Sequence, residues 1–175
     1  MAAKRPIPTW DPYPVLRFLE QMDTPNLKTL SKKLTSLAVL ATGQSLQTIS
    51  LIRLSGLQQS ESGLRIFIKD WLKTSGVKRN QPVLSIPYFQ EKLKLCVATT
   101  ILHYVNMTAS MRQEEDFLFL TTTKPHSAAS KQTISRWVKD TLQMAGVDVA
   151  QFKPHSTRHA STSSAHRLGI PMDQI

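Results

Sequence analysis

Cysteine is nearly missing from this chain: Cys96 is the only one among 175 residues. A single thiol excludes an internal disulfide and any zinc site built on several cysteines, and it suits a reducing compartment. Its apolar surroundings, KLKLCVATTIL, predict a buried core position rather than a nucleophile. No apolar run approaches the roughly 18 residues of a membrane span, so no membrane-embedded role is expected. The opening MAAKRPIPTW has no apolar stretch of a secretory signal. Lys4 and Arg5 are too few to make a nuclear import signal. Acidic residues are also scarce, 12 Asp and Glu against 22 Lys and Arg, for a formal charge of +10. A surplus that large on a small domain repels itself unless a polyanion is near. Nucleic acid is the favoured partner class, an anionic membrane surface comes second, and a merely soluble basic protein is the plain alternative.

What is present suits one compact domain. The hydrophobic fraction is 41%, ordinary for a globular chain. Residues 1–12, with Pro6, Pro8 and Pro12, read as an extended lead-in or linker before a domain over 13–175. Val15, Leu16, Phe18, Leu19 and Met22 fall at helical spacing. Asn26 is placed to cap a second helix over about 27–41, which Thr42-Gly43 ends. A short third helix follows in QSLQTISLI. Leu64–Ile68 and about Pro82–Ile86 read as the two strands of a small hairpin, with a turn from Gly76 to Asn80. Helical spacing resumes over about 90–105 and 130–145. Between them Phe117–Leu120 reads as a strand or buried turn, and His155–Leu168 forms a last helix of small residues. The predicted fold is mainly α (α+β) with a small antiparallel sheet.

The segment KPHSTRHASTSSAHRLGIP carries the chemistry. His155 and Arg158 lie three apart, so on a helix they share a face and can converge on one anion. Arginine offers a planar fork for two phosphate oxygens, and histidine can donate or shuttle a proton near neutral pH. Taken alone, such a pair is more often a solvated helix face. His155, His159 and His166 suggest zinc, but the segment has no H-E-x-x-H glutamate and no cysteine partner, so no metal is expected. His103 and His126 read as surface or half-buried polar residues, and Trp71 and Trp137 as packing anchors.

This segment, preceded by AGVDVAQFKP, resembles the His-x-x-Arg box of tyrosine recombinases (phage integrase catalytic domains), most closely the DIRS-type retrotransposon and related eukaryotic members. LAVLATGQSLQTISLIRL is similar to the family's first box, and IFIKDWLKTS to the strand leading to its hairpin lysine. LCVATTILHYVNMT and FLFLTTTKPHSAASKQTISRWVKDTLQMAG resemble the stretches between, in the same order over about residues 10–175. The resemblance implies a DNA-binding catalytic domain for DNA recombination and integration, working on double-stranded DNA as a homo-oligomer. It implies no cofactor, because a tyrosine attacks the DNA phosphate directly and no metal or nucleotide is required. The setting it implies is intracellular, in the nucleus.

Carried over residue by residue, His155 matches the family's histidine and Arg158 its second arginine. Lys73 best matches the hairpin lysine that protonates the leaving oxygen, with Lys69 and Lys78 as competitors. Arg136, Lys139 and Lys153 are candidate contacts to the DNA backbone, although Arg136 and Lys139 read equally as a solvated face. Two departures lower the expected activity. Ser45 stands where the family has its first arginine, and losing one such charge stabiliser typically costs about a hundred- to a thousandfold in rate. The family's nucleophilic tyrosine lies beyond the His-x-x-Arg box, whereas Tyr13, Tyr88 and Tyr104 are all upstream. The expectation is a catalytic core fragment that does not cleave DNA alone. Its rivals are a non-catalytic DNA-binding module derived from a mobile element and a basic helical protein-interaction domain.

Overall fold

The computed structural model describes residues 11–70 and 81–150. Helix α1 (Tyr13–Gln21) starts with Pro14 in its first turn, where a missing N–H costs nothing, and buries Val15 and Leu19 one turn apart. Helix α2 (Leu27–Thr42) opens on a capping box. The Asn26 side chain accepts the Thr29 N–H at 2.9 Å and the Thr29 hydroxyl accepts the Asn26 N–H at 3.4 Å. Gly43, at φ +63°, closes α2 in the left-handed conformation.

The sequence predicts an amphipathic α2, yet its residues 33–40 are all buried. The helix is the axis of the domain, packed against α1, α3 (Leu46–Ser50), α4 (Val97–Thr108) and α5 (Lys131–Met144). Two of its buried polar residues bond to their own helix: Thr35 donates to the Ser31 carbonyl and Ser36 to that of Lys32, each at 2.8 Å. Lys33 is the costly exception, and burial lowers the pKa of its amine. Nearby Lys94 pushes the same way, while Asp23 and Glu20 oppose it.

Beyond a 3-10 turn at Leu54–Gly56 come three strands, β1 (Leu57–Ser60), β2 (Gly63–Phe67) and β3 (Val83–Pro87), in the order β1-β2-β3. Both pairings are antiparallel, with Leu57 opposite Ile66, Leu64 opposite Ile86 and Ile66 opposite Leu84. Leu64, Ile66, Leu84 and Ile86 cover the core from one face, and Ile68 continues the row past the end of β2. The expected hairpin is therefore two strands of a three-stranded sheet. β1 escapes the sequence reading because LQQS lies on an edge, where no residue is fully buried and no alternation develops.

The single helix expected over about 90–105 is two elements. A 3-10 stretch, Gln90–Leu95, breaks at Lys92 (φ −140°, ψ 79°), and α4 begins only after Cys96. Cys96 is buried as expected, but it also caps α4. Its sulfur accepts the Thr99 N–H at 3.4 Å, the Thr99 hydroxyl at 3.2 Å and the Phe89 N–H at 3.3 Å. Phe117–Leu120 forms isolated bridges, Arg53 with Phe117 and Leu120 with Ala128. Ser130 caps α5, Gly146 follows that helix at φ +93°, and Trp137 packs in the core. The lead-in up to Trp10, the turn from Gly76 to Asn80 with Trp71, and the His155–Leu168 helix lie outside the described residues. None of the described helices is long and apolar enough to cross a membrane.

Leu34 is fully buried near the middle of α2. Leu34→Ala is expected to destabilise the domain by about 2–5 kcal/mol, read as a lower urea midpoint with an unchanged slope.

Candidate nucleic-acid interface

Ser45 sits at the turn between α2 and α3, and α3 packs on α5. The turn is built by Gly43, whose left-handed conformation ends α2 and lets the chain start α3 three residues later. Ser45 is exposed and caps α3: its hydroxyl accepts the Thr48 N–H at 3.3 Å and lies 3.1 Å from the Thr48 hydroxyl. The residue at the expected first-arginine position is thus a neutral cap. It satisfies one backbone donor and brings no charge to the surface.

On α5 the buried row Ile134, Trp137, Val138, Thr141 and Leu142 turns inward. Gln132, Arg136, Lys139 and Gln143 recur at helical spacing on the solvent side, all exposed. Arg136 and Lys139 therefore share one accessible face and can reach a common anionic partner. The next residue, Asp140, pairs instead with Lys32 of α2 at 3.6 Å.

Lys73, Lys153, His155 and Arg158 lie outside the described residues. Their sequence positions put Lys73 in the connection from β2 to β3 and the other three after α5. That these side chains share one cationic hollow is untested by the described geometry. Charge is unevenly divided as well. The described residues hold 14 Lys and Arg against 11 Asp and Glu, only +3 of the total of +10. The segments 1–10, 71–80 and 151–175 carry the rest.

A groove of about 310 Å³ opens beside α4, but Glu114, Glu115 and Asp116 line it together with Arg112. It has the wrong sign for a phosphate. Arg112 is itself structural: its guanidinium donates to the carbonyls of Phe117 and Leu118 and to the Thr108 hydroxyl at 2.6–2.8 Å. Tyr104 is equally committed to the core, where its hydroxyl accepts the Leu120 N–H at 3.0 Å and burial raises its pKa. Neither its burial nor its protonation suits a nucleophile. Tyr88 accepts from the Gln59 amide at 3.2 Å, and Tyr13 is exposed on α1. His103 is exposed and His126 half-buried, as the sequence reading has them.

Sequence reasoning missed one ionic cluster. Arg53 grips Asp70 with two bonds, Nε to Oδ2 at 2.8 Å and Nη2 to Oδ1 at 3.1 Å. Its Nη1 lies 3.7 Å from Asp116, and its guanidinium stacks 4.0 Å above the Phe117 ring. Asp116 also accepts the Ser55 N–H and hydroxyl. These bonds hold both carboxyls below the usual carboxylate range, Asp70 chiefly through Arg53 and Asp116 chiefly through the Ser55 hydroxyl.

No family model matches the sequence, and no curated protein matches it. Solved structures do match. The crystal structure of XerA recombinase superposes with a TM-score of 0.66 at 21% identity, over 97% of this chain and 54% of that one. XerH site-specific recombinase bound to its difH substrate, in a pre-cleavage complex, gives 0.70 at 12% identity over 95% and 45%. The lambda integrase catalytic core gives 0.55 at 13% identity over 91% and 84%. The fold is thus that of tyrosine recombinase catalytic domains, mainly helical with a small antiparallel sheet, as the sequence predicts. The chain spans about half the length of the XerA and XerH chains it matches.

Two outcomes are expected. Ser45→Ala should cost about 0.5–2 kcal/mol through loss of the α3 cap, read by chemical denaturation. Because the Asp70 and Asp116 carboxyls titrate lower folded than unfolded, their stabilisation is complete above the ordinary carboxylate range and is lost as pH falls through the lower folded values. Acid unfolding curves of Asp116→Asn should accordingly show a shallower loss of stability below about pH 4 than the parent chain.

Proposed function

We propose that this chain is the DNA-binding catalytic domain of a tyrosine recombinase or integrase of DIRS-type mobile-element ancestry, acting on double-stranded DNA in the nucleus and assembling on it as a homo-oligomer. One observation carries the reading: the fold matches recombinases over nearly the whole chain, including one solved on its DNA substrate. The proposed domain runs over 13–175, with 1–12 as lead-in. Lys73 is its proton donor to the leaving oxygen, and His155 and Arg158 hold the phosphate. Arg136, Lys139 and Lys153 track the backbone.

In the intact reaction a tyrosine oxygen attacks the phosphorus and forms a phosphotyrosyl bond, while the 5′ oxygen leaves with a proton. Charge accumulates on the non-bridging oxygens, so fixed cations there help most in the transition state. Ser45 provides a neutral hydroxyl already occupied as a helix cap. That observation favours a second reading for activity, a module that retains DNA binding with its strand-cleaving chemistry impaired. A basic protein-interaction domain remains the contrasting case, and salt dependence separates it.

Binding to duplex DNA, followed by fluorescence anisotropy, should weaken steeply as salt rises. Arg136→Ala and Lys139→Ala should each reduce the log–log salt slope by about one. Ser45→Arg should steepen it by about one, since it adds a cation at the phosphate position. Binding indifferent to salt would remove the DNA reading.

A further inference from the structure

The sheet turns one face to the core and leaves the other to solvent. Leu64, Ile66, Leu84 and Ile86 are buried, so Arg65 and Phe67 of β2 and Val83 and Ser85 of β3 stand on the opposite face. All four are exposed. Phe67 is 36% and Val83 43% exposed, and the register sets them opposite each other. Arg65 stands between Gln58 and Ser85 of the neighbouring strands, and its guanidinium lies over the Phe67 ring, 5.3 Å from the centroid. The alternation continues one step past β2. Ile68 is buried and donates its N–H to the Pro82 carbonyl at 3.2 Å, and Lys69 is exposed. Arg65, Phe67 and Lys69 therefore make a row of cation, ring and cation.

Nothing on this face neutralises the row. None of the three strands contains an acid. Among the described residues neither Arg65 nor Lys69 pairs with a carboxylate. The first acid past Lys69 is Asp70, which Arg53 already holds with two hydrogen bonds. A rise of about 3.3 Å per residue sets the two cations about 13 Å apart along the chain, with the ring midway. The complementary ligand is a polyanion that presents a flat π-face between its charges. Nucleic acid fits, but a duplex stacks its bases on each other and offers only their edges in the grooves. A ring standing on a sheet meets the face of a base only where the strand is unpaired.

We propose that the outer face of the sheet is a second nucleic-acid site that takes a single strand. An unpaired base stacks against Phe67, and Arg65 and Lys69 attract the phosphates on either side of it. The site uses other residues than the α5 face, goes beyond the duplex reading above and stands or falls without it.

The test uses the full chain and labelled oligo(dT) and oligo(rU) of about 15 nucleotides, followed by fluorescence anisotropy. Phe67→Leu keeps an apolar side chain and removes the ring, and it is expected to weaken single-strand binding about fivefold or more. Phe67→Trp restores a stacking surface and should bind at least as tightly as the parent chain. Arg65→Gln and Lys69→Gln should each lower the single-strand salt slope by about 0.7. Tight binding of either oligonucleotide supports the site, and the difference between the two tells whether DNA or RNA is preferred. NMR gives the location: oligo(dT) is expected to shift the amide signals of Phe67, Val83 and Ser85. The proposal is overturned if neither oligonucleotide binds, if Phe67→Leu binds as tightly as the parent chain, or if the sheet signals stay in place while those of α5 move. Loss of duplex binding in Arg136→Ala and Lys139→Ala with single-strand binding intact would show the two sites to be separate. A parent chain that binds single strands through Phe67 but no duplex would remove the duplex reading and keep this one.

Discussion

The burial of residues 33–40 in the middle of one helix is the constraint on which the rest depends. With that stretch of α2 buried on every face, the other α-helices pack directly against it and the sheet lies against α4. Of the buried polar residues of α2, Ser31, Thr35 and Ser36 are small, and Lys33 is the one long exception. The Thr35 and Ser36 hydroxyls bond to carbonyls of the same helix, whereas the Ser31 hydroxyl makes no bond within it. Burial also accounts for the sharp stop at Gly43. A continuing α2 would carry the chain out of the core, whereas the left-handed residue turns it back to lay α3 on α5. The position of Ser45, and with it the charge of the candidate interface, follows from that turn.

The core and the electrostatics occupy different parts of the chain. The described residues are close to neutral for their size, and most of the surplus positive charge belongs to segments outside them. Within the described part, three basic side chains pair with acids: Lys32 with Asp140, Lys92 with Glu20, and Arg53 with Asp70 and Asp116. Arg136 and Lys139 are exposed on α5, where the one acid of the helix, Asp140, pairs with Lys32 of α2. These pairs tie parts of the framework to each other, while Arg136 and Lys139 remain exposed to solvent.

Much of the fold was legible in the sequence because it is written in local periodicity. α1, α2 and α5 begin and end within a residue or two of where their apolar spacing, Asn26, Gly43 and Gly146 put them. β2 and β3 were found through β-branched residues facing one side. β1 was not, since a short polar edge strand owes its existence to its neighbour. The break at Lys92 was hidden because Leu93 and Leu95 keep an apolar appearance while the backbone departs from helical geometry. Ser45 was legible as a departure from a family pattern, but its use as a cap needed coordinates. The Arg53–Asp70 contact spans 17 residues and follows no repeat, so no pattern along the chain announces it. For Lys73, His155 and Arg158, sequence supplies residue types and order, and chemistry supplies the reason to look at them.

The lone sulfur has a practical meaning. Cys96 is 1% exposed and closes the start of α4 by accepting three hydrogen bonds, so a thiol reagent in solution meets no surface it can attack. Modification then requires the strap from Phe89 to Thr99 to part first, so its rate follows the population of that open form when reclosing outpaces the reagent. The chain thereby contains a built-in reporter on the opening of its own interior, with no second thiol to confuse the signal.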